Sequence, residues 1–250
     1  MQTGTQAIDR AAQLLVQVVE AEQPPTVGEL AGSSGLPKST VSRLLRALER
    51  NGLVQREGPR GGLRPGPVLV NLARRDGEAD LIELAGPELR RLADRTGETV
   101  NLAVPGDGQA EYLAQIETGH FLGSTNWIGR ATPNHSTAVG KVFLAFGAAH
   151  APERLERLTP DTIVDPRRLE AELEHVRARG YATAAGELEP GLVAIAAPVR
   201  NAAGETIAAI SVSGPSIRLT ATKLAPISRL LAAETDALSV RLGYRHKGAA

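Results

Sequence analysis

The 250-residue chain contains no cysteine, which excludes disulfides, thiolate nucleophiles and cysteine-held zinc, and which fits a reducing compartment. Its formal net charge is zero, so it is not a globally basic polyanion binder. Any nucleic-acid surface must therefore be local. The N-terminus lacks the basic-then-apolar pattern of a secretory signal, and no stretch approaches the ~18 consecutive apolar residues of a membrane helix. The longest apolar runs, 192–198 and 207–212, are strand-sized. A soluble, cytoplasmic protein without a membrane partner is expected. Its length suits one small and one medium domain, each with its own core. Repeat arrays and low-complexity segments are absent.

Catalytic signatures are missing too. The histidines His120, His135, His150, His175 and His246 are scattered, and no pair has metal-ligand spacing. Gly-x-Ser-x-Gly does not occur. Gly106-Asp107-Gly108 is a turn rather than a phosphate cradle, because no Gly-Lys-Ser/Thr follows. No catalytic residue, metal site or cofactor is expected, and His135 is read as a capping or core hydrogen-bonding residue.

What the chain does have is an uneven charge distribution. Lys38, Arg43, Arg46, Arg50, Arg56, Arg60 and Arg64 are opposed between positions 34 and 64 only by Glu49 and Glu57, a local excess of +5. Such a patch is the electrostatic footprint of a nucleic-acid site, although charge runs are more often solvated faces. The surrounding pattern decides between these. Residues 3–22 form an amphipathic helix, with Ile8, Ala11, Ala12, Leu15, Val18 and Val19 at helical spacing before Pro24-Pro25. Thr26-Val27-Gly28-Glu29 has the form of a capping box opening a second helix, and Gly35 supplies the turn after it. Pro37 suits the first turn of a third helix, which ends at Asn51-Gly52. Two short strands around Gly58–62 complete a winged helix-turn-helix order.

On the third helix Val41, Leu44, Leu45 and Leu48 form one apolar stripe, while Ser39, Ser42, Arg43 and Arg46 line the opposite side. Arginine can donate twice to guanine, and serine or threonine can bond bases or phosphate, so the second face suits the major groove. Lys38, Ser39 and Thr40 occupy the helix start, where free N–H groups favour phosphate. In the wing, Arg60 and Gly61 are placed to enter the minor groove or follow phosphate, flanked by Arg56 and Arg64. The expected partner is double-stranded operator DNA.

Residues 66–78 read as a connecting helix that loosens at Arg74-Arg75-Asp76-Gly77, and 81–95 as a helix interrupted or kinked at Gly86-Pro87. From Ala79 the pattern becomes mixed. Strands are expected at 99–104, 109–117, 192–199 and 206–213, and helices at 136–146, 166–179 and 222–242.

The run from Gly35-Leu36-Pro37-Lys38-Ser39-Thr40-Val41-Ser42-Arg43 to Gly52-Leu53-Val54 resembles the DNA-binding domain of the IclR family of regulators. His135-Ser136-Thr137-Ala138-Val139-Gly140-Lys141, Arg179-Gly180-Tyr181, Glu187-x-Glu189-Pro190-Gly191, Ala196-Ala197-Pro198-Val199 and Ser211-Val212-Ser213-Gly214-Pro215 resemble that family's later landmarks, in order. The resemblance implies an α+β chain. A winged helix-turn-helix domain (1–65) is joined by a linker helix (66–78) to a GAF-like domain (79–246) with an antiparallel sheet, for effector binding and oligomerisation. It also implies homodimers or homotetramers on symmetric or repeated operators. By this resemblance the protein is a DNA-binding transcriptional regulator answering to a small-molecule effector, with repressor or activator left open. One alternative makes the second domain an oligomerisation module only; a hydrolase-like enzyme is the other.

Carried over by the resemblance, the effector site draws on Thr137, Ala138, Val139 and Gly140, on Ala194 and Ile195, and on Ser211 and Ser213. Two departures stand out: Ala184 lies where many members are acidic, and Ala194 where some have cysteine. A ligand-binding carboxylate is therefore expected to be missing. That implies a less polar pocket for an aromatic or otherwise hydrophobic effector, with Trp127 as a wall.

Overall fold

The computed structural model describes residues 5–58, 61–106, 108–117, 119–120 and 125–245. Arg60, Asp107 and His246 lie outside the described residues. The chain divides into two compact units, Met1–Asp80 and Leu81–Ala250.

In the first unit α1 (Thr5–Glu20), α2 (Val27–Ser34) and α3 (Lys38–Arg50) precede a two-stranded antiparallel hairpin of β1 (Val54–Arg56) and β2 (Leu63–Pro65). The capping box forms. The Thr26 hydroxyl accepts from the Glu29 amide at 3.3 Å, and Glu29 Oε2 accepts from the Thr26 amide at 2.7 Å. Gly35 takes a left-handed φ of 66° after α2, where a side chain would be strained. Because the box satisfies orphan amides on a helix of eight residues, Thr26→Ala is expected to lower stability by about 1 kcal/mol in urea denaturation. No change in the midpoint would contradict a capping role.

Leu14, Val18, Leu30, Val41, Leu45, Leu48, Val54 and Leu63 make this unit's core. The stripe expected on α1 is only partly buried: Leu14 and Val18 point inward, while Ile8 is 68 % and Val19 50 % exposed. The α1 surface in contact with α2 and α3 is narrower than the apolar pattern of its sequence.

A single helix, α4 (Pro67–Thr96), contains the boundary between the units. It runs unbroken through Arg74–Gly77 and through Gly86-Pro87, which corrects the expected loosening at the first and the expected interruption at the second. Proline inside a helix costs about 3 kcal/mol. Burying Leu81, Leu89 and Leu92, each at most 7 % exposed, returns roughly 1.5–3 kcal/mol apiece. Packing therefore wins.

The second unit is built on a six-stranded antiparallel sheet of β3 (Thr99–Pro105), β4 (Gln109–Ile116), β5 (Ala131–Pro133), β6 (Ala182–Ala185), β7 (Leu192–Arg200) and β8 (Thr206–Pro215), in the order β5-β4-β3-β8-β7-β6. Alternation along each strand sends successive side chains to opposite faces. Leu102, Val193, Ile195, Val199, Ile210 and Val212 pack with the C-terminal part of α4 and with α7 (Ala221–Arg241). Ala103, Tyr112, Ala182, Ala184, Ala196 and Ala209 face α5 (Ala138–Ala145) and α6 (Pro166–Arg179). The strands β5 and β6 were not read from the sequence.

Candidate nucleic-acid interface and ligand cavity

The two stripes of α3 separate as their spacing requires. Val41, Leu45 and Leu48 are buried, whereas Lys38, Ser39, Arg43 and Arg46 are exposed, and Thr40 and Ser42 half-buried. Pro37 provides no side-chain cap, so the first-turn N–H groups carry the helix's positive end uncapped. Lys38, Ser39, Ser42, Arg46, Glu49 and Arg56 line an open groove on this unit.

Not every basic residue is equally available. Arg56 Nε donates to Glu49 Oε1 at 3.2 Å, and Arg64 lies 2.6 Å from Glu57. Lys38, Arg43, Arg46 and Arg50 make no ion pair with a described residue. Among the described residues the unpaired charge of this unit's basic stretch is thus concentrated on α3, and Arg56 and Arg64 are partly neutralised. Gly61 has a structural reason of its own, since a side chain there would overlap the Glu57 backbone.

In the second unit a cavity lies between the sheet and α5. Its floor follows from strand register. Asn101 and Ala196 flank Ser211, and Thr99 and Ala194 flank Ser213, with Ala184 beyond Ala194. Directly opposed residues share a face, so one row of small and hydroxylated side chains leaves room above it. Trp127, Thr137, Ala138, Val139, Ala184, Ala194, Ser211 and Ser213 all line this space. Ile195 does not. It is one residue out of phase with Ala194 and packs on the α7 side of the sheet. Gly140 lies outside the lining as well. It permits close approach of α5 to Asn134, whose backbone a Cβ would overlap, and its amide donates to Thr137 Oγ1 at 3.1 Å.

Asn101, Tyr112, Ser136, Glu187, Leu188 and Leu192 complete the lining, and sequence reasoning assigned none of them to it. Tyr112 and Trp127 stand with ring centroids 5.8 Å apart. Burial pushes the Tyr112 phenol up to about 12, which keeps it protonated. Asn101 Nδ2 donates to Ser213 Oγ at 3.3 Å, while Asn101 Oδ1 has no partner among the described residues. Glu187 corrects the expectation of a cavity without a carboxylate. Lys141, 1 % exposed, donates from Nζ to Glu187 Oε1 at 2.6 Å and to the Thr183 carbonyl at 3.1 Å. Glu187 Oε2 is buried and has no hydrogen-bond partner among the described residues. Burial pushes its carboxyl up from the usual range, opposed by the charge and hydrogen bond of Lys141. A polar strand residue at Asn101 and the Glu187 landmark were the available signals, but neither reveals a shared cavity.

His135 is buried, and its Nε2 lies 2.9 Å from the Glu156 carbonyl, a core hydrogen-bonding position. Among the described residues there is no group of three potential metal ligands.

A basic helix face on a winged unit and a cavity in a sheet domain set the context for comparison with known proteins. Residues 7–58 match the IclR helix-turn-helix domain, and residues 76–240 match the family described as bacterial transcriptional regulator IclR C-terminal. The chain belongs to the IclR family. IclR-family members are DNA-binding transcriptional regulators with an effector-binding C-terminal domain, and this chain is a regulator rather than an enzyme. It is 34 % identical to the HTH-type transcriptional regulator BhcR of Paracoccus denitrificans (strain Pd 1222) over 235 residues, 90 % of this chain and 83 % of that one. It is 30 % identical over 251 residues to the HTH-type transcriptional repressor AllR of Escherichia coli (strain K12), covering 98 % and 93 % of the two chains. The Thermotoga maritima IclR crystal structure superposes with a TM-score of 0.62 at 28 % identity, over 96 % of this chain and all of that one (100 %). An IclR homolog from Microbacterium hydrocarbonoxydans, complexed with 4-hydroxybenzoate, gives a TM-score of 0.60 at 25 % identity over 94 % and 98 %.

Proposed function

We propose that this IclR-family regulator reads each operator half-site with Ser39, Ser42, Arg43 and Arg46, while Lys38, Thr40 and the wing hold phosphate. The observation that carries this reading is the set of unpaired cations on the exposed face of α3. Arg56 is assigned a lesser part because Glu49 already engages it. The DNA-binding domain is taken as 1–65 and the effector domain as 79–246, with 66–78 as the connection. The protein acts as a repressor, by analogy with AllR, and works in the cytoplasm. No described helix is long and apolar enough to cross a membrane.

The regulator operates as a homodimer or a pair of dimers, which would impose symmetry on the operator. Exposed Ile8, Val16 and Val19 on α1 and Val68, Val70 and Leu72 on α4 supply apolar surface for a second copy.

The cavity takes the effector, an aromatic molecule held against Trp127 and Tyr112 over the floor that contains Ala184 and Ala194. Two aromatic rings in its lining suit a small ring compound, and the 4-hydroxybenzoate complex of the Microbacterium homolog supports the class. Effector can alter operator affinity only as far as the two functional states bind it differently. Calorimetry of the full chain against a panel of acids and aromatics tests this assignment. Tight binding by aromatic compounds is expected; binding by small dicarboxylates or glyoxylate-like acids alone would overturn it.

A further inference from the structure

The unpartnered oxygen of Glu187 calls for a reason. A buried carboxylate oxygen without a hydrogen bond costs free energy that folding normally avoids. Here Glu187 is 8 % exposed and lines the cavity; Lys141 and the Ala185 amide favour its ionised form, yet Oε2 has no hydrogen-bond partner among the described residues. Lys141 is nearly inaccessible and uses its Nζ on Glu187 Oε1 and the Thr183 carbonyl. The lysine therefore anchors the carboxylate from α5 through one oxygen and leaves the second without a donor, in a side chain that lines the cavity. None of the hydroxyl and amide side chains that line the same cavity donates to it.

We propose that Glu187 Oε2 is the specificity element of the cavity, accepting a hydrogen bond from a hydroxyl or N–H group of the effector. The proposal rests on the reading of the cavity as the effector site and narrows its ligand class. The preferred effector is an aromatic ring bearing a donor, such as a phenol, rather than a plain hydrocarbon ring. A carboxylate presented at this end meets like charge and is rejected. Burial, which raises the Glu187 carboxyl, makes a donor from the ligand more valuable than it would be in water.

The test compares 4-methylphenol with its near-isostere 4-fluorotoluene on the full chain. Binding is followed by calorimetry and by fluorescence of Trp127, the single tryptophan, which lines the cavity. A hydrogen bond to a charged acceptor predicts a preference of roughly tenfold to a hundredfold for the phenol, although the fluoro compound is the more hydrophobic. In Glu187→Gln, an amide of the same shape can keep its oxygen on Lys141 and turn its NH₂ to the cavity. That NH₂ can still donate to the phenol oxygen, so a neutral hydrogen bond replaces a charged one and the preference is expected to shrink by roughly fivefold to tenfold. Equal binding of the two probes to the wild type, or an unchanged preference in Glu187→Gln, overturns the role of Glu187 while leaving the cavity as a binding site. Binding of neither probe overturns the cavity assignment and this proposal together. The wild-type comparison decides the matter even if the variant fails to fold.

Discussion

Lys141→Met is expected to destabilise the protein by about 3–5 kcal/mol, because it strips a buried carboxylate of its partner. Lys141 Nζ is 2.6 Å from Glu187 Oε1, and the two groups are 1 % and 8 % exposed. Desolvation of both has already been incurred in the native fold, so loss of one charge leaves the other uncompensated. A second substitution separates this from a simple packing defect. Replacing both partners, as in Lys141→Met with Glu187→Leu, removes the desolvation cost along with the attraction, and most of the lost stability should return. Urea denaturation measures both variants. A double variant no more stable than Lys141→Met would contradict the ion-pair explanation.

The pH dependence of that deficit has a definite sign. The native Glu187 carboxyl is raised above its ordinary value by burial, and Lys141 and the Ala185 amide only partly oppose the rise. Nearby Glu172 adds to it. As pH falls, the native state therefore takes up this proton before the unfolded chain does. The ionised group costs stability above its native pKa, and acidification toward the ordinary carboxylate range relieves that cost. Without Lys141 the native carboxyl is raised further. The deficit of Lys141→Met should consequently be smaller at about pH 5 than at about pH 8.

Operator affinity should collapse with salt. Each phosphate neutralised contributes a log–log slope of roughly −0.9, and 6–10 contacts correspond to a loss of about 10³–10⁵ between 50 and 200 mM salt. Lys38 and Arg50, the unpaired α3 cations not assigned to bases, are repeated in a dimer, and the wing brings the total toward that range. Arg64 and Arg56 contribute less, because Glu57 and Glu49 must first release them. A phosphate-contacting residue changed to alanine lowers the slope by about 1 and weakens all sequences alike. A base-reading residue changed to alanine costs about 1–3 kcal/mol and relaxes preference at one position. Arg43→Ala is expected to show the second pattern and Lys38→Ala the first. Anisotropy titrations over a salt series distinguish them, and a flat salt response would contradict the proposed interface.

Local structure was the most readable part of this chain. Thr26 and Glu29 form their box, Gly35 takes its left-handed turn, and α3 divides into buried and exposed faces. These features depend on residues a few positions apart, where spacing alone fixes geometry. Long-range burial was less visible. Pro87 looked like an interruption, yet Leu81, Ala85, Leu89 and Leu92 carry α4 past it into the sheet's core. Ile8 and Val19 looked internal because they are apolar, and they are exposed in this chain.

The cavity was half legible. Ser211, Ser213 and the small residues at 184 and 194 were placed through the family resemblance, and strand register puts them on one floor. Ile195 is carried over by the same resemblance, although alternation sends it to the other face. Glu187 was overlooked as a ligand group because Ala184, three residues earlier, occupied the position where acid was sought. Its approach to the cavity depends on Lys141 of α5, 46 residues away in sequence. No local pattern encodes such a meeting.

The most direct test is an anisotropy titration of wild type and Arg43→Ala on the duplex flanking the protein's own gene, alongside an unrelated duplex of equal length. Wild type should bind its own flanking DNA about 10³-fold or more tightly than the unrelated duplex, and Arg43→Ala should lose affinity mainly for the former. Equal wild-type affinity for both duplexes, with Arg43→Ala weakening both alike, would contradict operator reading by α3.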